Sequence, residues 1–397
     1  MSDLALHGGK PVRETWLPYG HQSIDEEDIR AVTEVLKSEF LTCGPKAPAL
    51  EEKLCRITGA AHCTTVSNGT AALHTACLAA GIGPGDEVIT TPITFAASAN
   101  AILYCGGTPV FADIDPRTYA IDPKSIEERI TPRTKAVVAV DFTGQACDYD
   151  AIRRICRQHG LLLIEDAAHS LGTAYRQAPV GSIADLTTFS FHPVKTVTAG
   201  EGGAVMSQDE NLARRVQLFA RHGIARDRDL LREQGNSNWY YEQQLLGYNY
   251  RLTDIQCALA LSQLEKLGAF SARRKELTRR YDEAFREMPE VCVQEETEGS
   301  DTVRHLYVLG LNPDRLRCGR REFYDALQAE NIGVNVHYIP VYYFPYYRKL
   351  GYRKGLCPNA EDYYERCLTL PLFYGMTDQD QRDVVEAVSK VAAYYRK

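Results

Sequence analysis

Lys195 is a residue of this sequence with clear capacity for chemistry. It follows a β-prone run, residues 186–191, and precedes a glycine-rich segment, residues 200–203. Loops after strand ends often hold reactive groups in α/β proteins. A lysine shielded from water there can lose its proton at neutral pH and act as a nucleophilic amine. Lysines are usually solvated, however, so Lys195 taken alone is more simply a surface residue.

Two carboxylates end a second apolar run. Glu165 and Asp166 follow residues 161–164, and His169 comes three residues later. A buried carboxylate needs a cation or a hydrogen-bond donor, so Asp166 could hold a protonated ring nitrogen. Asp166 could equally be a helix N-cap or a member of an ion pair. His169 has a similar ambiguity, because a single histidine serves packing more often than ligand binding.

Residues 67–70, Ser-Asn-Gly-Thr, form a predicted turn into a helix N-terminus. The first N–H groups of a helix are unpaired and lie at the positive end of its dipole, which suits a phosphate. Gly69 would allow the backbone to approach the ligand closely, and Ser190 could donate a further hydroxyl. Plain N-capping by Ser67 or Thr70 explains the same residues about equally well.

Together the three stretches favour one cofactor. Pyridoxal 5′-phosphate needs an amine for its aldehyde, a carboxylate for its pyridinium nitrogen and donors for its phosphate. Lys195, Asp166 and the turn at 67–70 supply one each. The combination makes the surface interpretation of Lys195 a poor one.

The elements that must position these residues alternate between strand and helix from residue 63 to residue 164. That rhythm, with nearly continuous apolar strands, predicts an α/β fold: a mainly parallel mixed sheet flanked by helices. We expect an N-terminal arm over residues 1–22, a large cofactor-binding domain over 23–268 and a smaller C-terminal α/β domain over 269–397.

Several local expectations accompany this division. Residues 23–26, Ser-Ile-Asp-Glu, match a capping box that opens the first helix. The C-terminal domain is predicted to contain strands at 305–309 and 332–336. The long segment 221–250 has no periodicity, but its aromatic residues favour an ordered structure.

Composition narrows the possible partners. The 397 residues are 44% hydrophobic and 24% charged, with a net charge of -7. Dispersed basic residues exclude a nucleic-acid footprint, and no apolar run reaches the roughly 18 residues of a membrane helix. Without a signal-peptide pattern, we expect a cytoplasmic protein. The 12 cysteines form no Cys-x-x-Cys pair, which predicts reduced thiols and no metal site.

Five motifs resemble one known family. In chain order they are residues 67–70, 165–170, 189–192 with Lys195, 200–203 and 247–254. They are similar to the nucleotide-sugar aminotransferases of the DegT/DnrJ/EryC1/StrS family, and the likeness runs from about Gly8 to the C-terminus. The resemblance implies the fold type I architecture of pyridoxal-phosphate transferases and a homodimer with active sites shared at the subunit interface.

The resemblance also implies residue roles. Lys195 would bind the cofactor and move a proton between the cofactor and the sugar. The other residues it implicates are Asp166 at the pyridine nitrogen, His169 beside the phenolic oxygen, Gly69, Thr70 and Ser190 at the phosphate, Phe95 against the ring face, and Asn249 at the partner subunit's phosphate. Without the resemblance, Phe95 and Asn249 would be assigned to packing and to loop hydrogen bonding.

Residues 222–224 and 238–251 are similar to family members of the pseudaminic acid pathway. This implies transfer of an amino group from L-glutamate to C4 of a UDP-linked 4-keto-6-deoxy-N-acetylhexosamine. The alternatives are another nucleotide-linked keto-sugar and a non-catalytic pyridoxal-phosphate-binding regulator. A sugar 3-dehydratase is disfavoured because those relatives carry histidine where this chain has Lys195.

Tyr342 departs from the family pattern. Relatives often have histidine at this position, in a region that belongs to the substrate side. The change leaves the preferred sugar or nucleotide open. The tyrosine-rich stretch 337–347 could stack a nucleotide base, or it could be interdomain core.

Overall fold

A computed structural model describes residues 3–232, residue 237 and residues 239–397. Its helices are α1 (Glu26–Leu36), α2 (Lys46–Thr58), α3 (Gly69–Ala79), α4 (Ala96–Tyr104), α5 (Pro123–Glu128), α6 (Tyr149–His159), α7 (Glu210–Ala220), α8 (Asp254–Glu265), α9 (Leu267–Phe285), α10 (Arg320–Ala329), α11 (Pro345–Lys349), α12 (Pro358–Arg366) and α13 (Asp378–Tyr395). Its strands are β1 (His62–Val66), β2 (Glu87–Thr90), β3 (Thr108–Phe111), β4 (Thr134–Val140), β5 (Leu162–Asp166), β6 (Ala174–Tyr175), β7 (Ala178–Pro179), β8 (Leu186–Ser190), β9 (Gly203–Ser207), β10 (Ile224–Ala225), β11 (Glu242–Gln243), β12 (Val291–Val293), β13 (Ser300–Asp301), β14 (Tyr307–Leu311) and β15 (Cys367–Leu370).

The large sheet has seven strands in the described part of the chain, in the order β1-β9-β8-β5-β4-β2-β3. Neighbours from β8 to β3 are parallel, and β9 is antiparallel to both β8 and β1. Helices follow most of the strands, as parallel connections require. The predicted fold class, a mainly parallel mixed sheet flanked by helices, is confirmed.

Alternation along the strands explains how both faces of this sheet are covered. In β4, Ala136 and Val138 pack in one hydrophobic cluster with α3, whereas Val137 and Ala139 pack in another with α6. Successive side chains of a strand point to opposite faces, so a strand buried on both sides must be apolar throughout. The continuous apolar runs that predicted a doubly covered sheet arise from this packing.

The C-terminal part has its own antiparallel sheet, β12-β14-β15, and its own hydrophobic cluster. Leu4 and Leu17 from the N-terminal arm pack into this cluster. Helix α9 starts with Leu267 in a cluster of the large sheet and continues with Leu277 in the C-terminal cluster. We retain the domain boundary between residues 268 and 269, at the start of α9, as a proposal.

The first helix has a different cap from the predicted one. Helix α1 begins at Glu26, and the capping box is formed by Asp25 and Asp28, each accepting the other's backbone N–H at 3.1 Å. The Ser23 carbonyl instead accepts a hydrogen bond from Gln263 at 2.8 Å. The prediction for residues 23–26 was wrong because a second acidic residue placed the box two residues later.

The predicted strand at 332–336 was also wrong. Ile332 and Asn335 form only isolated bridges, to Leu17 and Thr369. The strand that pairs with β14 there is β15, which the sequence analysis did not predict. Ile332, Val334 and Val336 pack in the C-terminal hydrophobic cluster together with Leu17 of the arm. Local periodicity does not distinguish apolar residues buried in this way from those of a strand.

The segment 221–250 is partly described. Its strands β10 and β11 pair antiparallel, whereas residues 233–236 and Asn238 lie outside the described residues. The expectation of order for the whole segment therefore stays a prediction. Among the described residues, no helix is both long enough and apolar enough to span a membrane.

Candidate active site

A cavity of about 520 Å³ opens at the carboxyl edge of the large sheet. Val140, Asp166 and Ser190 line it, and they are the last residues of β4, β5 and β8. Ligands of open α/β sheets bind outside the carboxyl ends of the strands. The further residues that line the cavity include Tyr19, Asn68, Gly69, Thr70, Phe95, Ser98, His169, His192, Lys195, Glu201, His305, His337 and Tyr338.

Lys195 enters the cavity from the turn after β8, where its N–H donates to the His192 carbonyl at 3.0 Å. Burial lowers the pKa of Lys195 to about 8, an effect that Asp166 opposes and Arg274 reinforces. Roughly a tenth of the amine is therefore neutral at pH 7. Lys195 is a buried amine able to act as a nucleophile.

Asp166 lies in the same cavity and has two neutral hydrogen-bond donors. Ser98 Oγ donates to Oδ2 at 2.6 Å, and the Ala168 N–H donates to Oδ1 at 3.2 Å. Burial raises the pKa of Asp166, while the Ser98 hydrogen bond opposes that rise. A carboxylate with these neighbours retains acceptor capacity for a cationic N–H group in the cavity.

The two adjacent carboxylates have different surroundings. Glu165 is fully buried and does not line the cavity; its Oε2 accepts from Thr187 Oγ1 at 2.6 Å. The alternation of side chains along β5 therefore presents Asp166, and not Glu165, to the cavity. Burial and the nearby Glu165 raise the pKa of a third acidic residue, Asp141, whose carboxylate accepts a hydrogen bond from Ser170 at 2.6 Å.

The turn between β1 and α3 is capped by a residue that the sequence analysis had not selected. Asn68 is the N-cap of α3, and its side-chain oxygen accepts the Ala71 N–H at 2.8 Å. The alternative of capping by Ser67 or Thr70 was wrong. The side chain of Thr70, which lines the cavity, is therefore not needed as the cap.

Gly69 allows this turn to approach the end of β8 closely. A Cβ atom on Gly69 would lie 2.9 Å from Ser190 Cβ and 3.0 Å from Ser190 Oγ. The N–H groups of the first helical turn have no intrahelical partner, and they lie beside the Ser190 hydroxyl. Gly69, Thr70 and Ser190 thus form a concave donor site suited to a phosphate.

Histidines and a tyrosine form another wall of the cavity. His169 Nε2 lies 3.3 Å from the Tyr338 hydroxyl, and its ring centroid lies 4.5 Å from that of His305. Burial, and then the positive charge of Lys195, lowers the pKa of His169 well below its ordinary value and that of His337 to about 4. These imidazoles are neutral near pH 7 and can offer one hydrogen-bond donor and one acceptor each.

The structure brings together seven of the eight predicted site residues. Phe95 stands at the N-cap position of α4 with 64% of its surface exposed and its ring 6.4 Å from that of Tyr338. Asn249 is the exception: it is exposed, pairs with Arg221 through the backbone and does not line this cavity. Asn249 therefore cannot be assigned to the cavity of its own chain.

Tyr342 belongs to the packed interior. It is fully buried, donates to Glu361 at 2.8 Å and lies with its ring 5.4 Å from that of Phe111. Of the two alternatives for residues 337–347, the packing of Tyr342 agrees with the core, because its side chain lies in a hydrophobic cluster, whereas Tyr338 lines the cavity.

The residues present fit pyridoxal phosphate. Lys195 offers the amine, Asp166 the acceptor for a pyridinium N–H, and the Gly69 turn the phosphate site; the unpartnered buried Nδ1 of His169 adds a further polar atom. When bound, this cofactor supplies an aldehyde that exchanges amino groups and a ring that withdraws electrons from the reacting carbon. The arrangement is suited to moving amino groups between small molecules.

Comparison with known proteins gives a consistent result. Residues 22–389 match the DegT/DnrJ/EryC1/StrS aminotransferase family. The chain is 45% identical over 381 residues to the spore coat polysaccharide biosynthesis protein SpsC of Bacillus subtilis, covering 96% of this chain and 98% of SpsC.

Two solved structures have the same fold over nearly their whole length. Helicobacter pylori PseC, an aminotransferase involved in the biosynthesis of pseudaminic acid, is 32% identical, with a TM-score of 0.88 over 96% of this chain and 100% of PseC. Spr1654 from Streptococcus pneumoniae, solved in its PLP form, is 30% identical, with a TM-score of 0.88 over 96% of this chain and 99% of Spr1654.

Proposed function

The chain belongs to the DegT/DnrJ/EryC1/StrS aminotransferase family, and from that membership we propose that it transfers an amino group from L-glutamate to C4 of a UDP-linked 4-keto-6-deoxy-N-acetylhexosamine. It is a sugar aminotransferase that uses pyridoxal phosphate. The alternative of a non-catalytic cofactor-binding regulator is accordingly set aside.

Each site residue has a role in this proposal. Lys195 Nζ supplies the amine that anchors the cofactor, and it then carries a proton between the cofactor and the carbon that loses or gains nitrogen. Asp166 keeps the pyridine nitrogen protonated, which favours electron withdrawal by the ring. The observation that supports these roles is the presence of both groups in one cavity with the Gly69 turn.

The remaining residues bind and orient. Thr70 and Ser190 hold the phosphate with the N–H groups at Gly69, and His169 donates or accepts beside the phenolic oxygen. Phe95 packs on the ring face, which explains its large exposed surface at the mouth of the cavity. Apolar rings exposed at a cavity mouth favour stacking with flat ligands.

PseC supports the substrate part of the proposal, because its entire length superimposes on this chain. Residues 222–224 and 238–251 also resemble the corresponding sequence of aminotransferases from the pseudaminic acid pathway. The higher identity to SpsC favours an alternative, a nucleotide-linked keto-sugar destined for another polysaccharide. The nucleotide and the sugar therefore need a direct test.

We also propose a homodimer in which Asn249 of each subunit reaches the phosphate site of the other. Asn249 is exposed and lies outside the cavity of its own chain, as such a role requires. In a symmetric dimer each subunit presents the same surface to the other, so the Asn249 of each subunit would complete the cavity of its partner.

Absorption spectra test the reaction and the substrate together. The purified protein, loaded with pyridoxal phosphate, should be yellow and should lose that absorbance with L-glutamate. We expect a UDP-linked 4-keto-6-deoxy-N-acetylhexosamine to restore the colour, and nuclear magnetic resonance should show nitrogen at C4 of the product.

Two other outcomes would change the assignment. Recovery of colour only with a thymidine-linked keto-sugar would replace the proposed substrate with the alternative. A protein that stays colourless after addition of pyridoxal phosphate would contradict the roles of Lys195 and Asp166.

A further inference from the structure

The turn after β4 contains a residue in an unfavourable backbone conformation. Thr143 has a φ of 64° and a ψ of -2°, which lies in the left-handed region. This region is costly for a residue that is branched at Cβ, and such a conformation persists only where the surrounding structure holds it. The neighbours of Thr143 must therefore supply the interactions that keep it there.

The same turn contacts the backbone of two histidines that line the cavity. The Thr143 carbonyl accepts the N–H of His305 at 2.7 Å. A Cβ atom added to Gly144 would lie 2.9 Å from the His169 carbonyl oxygen and 2.9 Å from the His305 nitrogen. The ring centroids of His169 and His305 lie 4.5 Å apart. The conformation of Thr143 thus affects where both imidazoles stand in the cavity wall.

Arg304 contacts the side chain of Thr143. It is 7% exposed and does not line the cavity. Its Nη1 donates to Thr143 Oγ1 at 2.7 Å and also to Gln294 Oε1, and its Nη2 donates to Gln145 Oε1 at 3.1 Å. All three acceptors are uncharged. Because a buried cation that lacks a carboxylate is costly, the arginine is explained best by the need for several donors at this place.

The two glutamines are themselves held in place. Gln145 Nε2 and Gln294 Nε2 both donate to the Thr118 carbonyl, at 3.1 and 2.6 Å. A guanidinium carries its donors in one rigid plane, so acceptors fixed in this way determine its orientation. Arg304 therefore presents an N–H group to Thr143 at a fixed position.

We propose that Arg304 is a positioning residue of the aminotransferase, which keeps Thr143 in the left-handed conformation and thereby fixes His169 and His305 in the cavity wall. It acts through the turn, so its effect depends on the conformation of residue 143. Glycine adopts the left-handed conformation without steric cost. A glycine at residue 143 should therefore make Arg304 unnecessary for positioning.

Four variants separate this role from simple stabilisation of the fold. Arg304→Met removes the guanidinium, and Thr143→Val keeps the branched shape but cannot accept the Arg304 hydrogen bond, so both should release the turn. Thr143→Gly and the double variant Arg304→Met/Thr143→Gly should keep its conformation. Arg304→Met also removes donors from two buried glutamines, so the melting temperature should fall in the single and the double variant alike.

The first measurement is the rate at which L-glutamate removes the yellow absorbance of the cofactor-loaded protein, at a temperature where circular dichroism shows every variant folded. We expect Arg304→Met and Thr143→Val to react about tenfold more slowly than the unsubstituted protein, because small displacements in an active site reduce rates on at least this scale. The double variant should recover most of the rate although it remains less stable to heat.

The second measurement does not depend on the reaction. Nuclear magnetic resonance of cofactor-loaded protein labelled with ¹³C at histidine Cε1 reports the surroundings of each imidazole, and His169→Gln and His305→Gln assign the two signals. We expect both signals to shift in Arg304→Met and Thr143→Val and to return towards their original positions in the double variant.

Unchanged rates and histidine signals in folded Arg304→Met would overturn the proposal. A double variant as slow as Arg304→Met would also overturn it, because the conformation of residue 143 would then not be what Arg304 controls. If Arg304→Met does not fold, Thr143→Val and Thr143→Gly decide, and equal rates and signals in those two variants would refute the role. If L-glutamate leaves the unsubstituted protein yellow, the proposed amino donor is wrong, and the histidine signals still test the turn.

Discussion

Burial gives Lys195 and Asp166 their chemical character. Removal from water disfavours charge on both groups, which lowers the pKa of the lysine and raises that of the aspartate. Their mutual attraction acts against both changes and keeps Asp166 able to hold a cation. Two ordinary residue types thus become a nucleophile and a cation acceptor through their shared position at the strand ends.

Replacing Lys195 with alanine should abolish the reaction without unfolding the protein. Because the Lys195 amine is proposed to hold the cofactor and to carry the proton, we expect turnover to fall by at least about 10²-fold and the yellow absorbance to disappear. Circular dichroism should be unchanged. Lys37→Ala, at an exposed lysine, is the matched control; turnover like that of the unsubstituted protein in Lys195→Ala would refute the assignment.

Capture of the cofactor by Lys195 should depend on pH. Only the neutral amine attacks an aldehyde, so the capture rate of cofactor-free protein should rise with pH through about 8, where half of Lys195 is neutral. Arg274 is buried, and its positive charge disfavours protonation of Lys195. Arg274→Met should therefore move the midpoint to higher pH.

Arg274→Lys provides the control for that measurement, since it keeps a positive charge while losing the guanidinium contacts to the carbonyls of Arg304, His305 and Leu372. A midpoint that moves equally in both variants would show that those contacts, and not the charge, set the pKa of Lys195.

Among the elements, the turn from β1 into α3 approaches the end of β8 and the start of β9 closely. A Cβ atom added to Gly69 would lie 2.9 Å from Ser190 Cβ, and a Cβ atom added to Gly203 of β9 would lie 2.6 Å from the Asn68 carbonyl oxygen. The small residues Gly69, Ser190 and Gly203 allow these three segments to meet, because bulkier side chains would separate the strand ends from the helix. The proposed phosphate site depends on that spacing.

Gly69→Ala should weaken cofactor binding, because its Cβ would push Ser190 away from the helix N-terminus. We expect at least a roughly tenfold increase in the dissociation constant of pyridoxal phosphate, measured by absorbance titration. Gly83→Ala is the control, since its added Cβ meets nothing within 4 Å. Equal affinities for the two variants would disprove the spacing argument.

Strand-end residues were predictable from sequence, and residues from distant segments were not. Asp166 and Lys195 follow apolar runs, and parallel strands present their carboxyl ends at one edge. His305, His337 and Tyr338 reach the cavity from irregular segments of the C-terminal part. The sequence predicted a strand from residue 305, but the strand begins at Tyr307, and His305 precedes it. Only the hydrogen-bonding residue types of that region offered a signal.

The predicted strand at 332–336 failed for a related reason. Its apolar residues pack against the C-terminal core, and Ile332 pairs with Leu17 of the N-terminal arm, near the opposite end of the chain. Local patterning records that a residue is buried but not what buries it. Element types were accordingly more predictable than the neighbours of each element.

At the scale of the whole molecule, the cavity is incomplete without a residue from elsewhere if Asn249 has the proposed role. Mixing Lys195→Ala subunits with Asn249→Ala subunits tests this directly. In a shared site, each mixed dimer contains one cavity with both residues intact, so random mixing should recover roughly a quarter of the activity of the unsubstituted protein.

Independent cavities would behave differently. Each subunit of the mixed dimer would then carry its own defect, and activity would not exceed the average of the two parent variants. Reassociation of subunits should be verified by differential tagging, and a Lys195→Ala, Asn249→Ala double variant mixed with itself provides the inactive baseline.

The cavity takes its lining from separate parts of the chain. Most lining residues lie between 68 and 201, whereas Tyr19 comes from the N-terminal arm and His305 and Tyr338 come from the C-terminal part. If the residues of the arm and of the C-terminal part contact the sugar, exchanging them changes the accepted sugar while the cofactor site stays the same. The same division offers a route to engineering: grafting those segments of a relative onto this chain should transfer its substrate range and leave the colour of the bound cofactor unaltered.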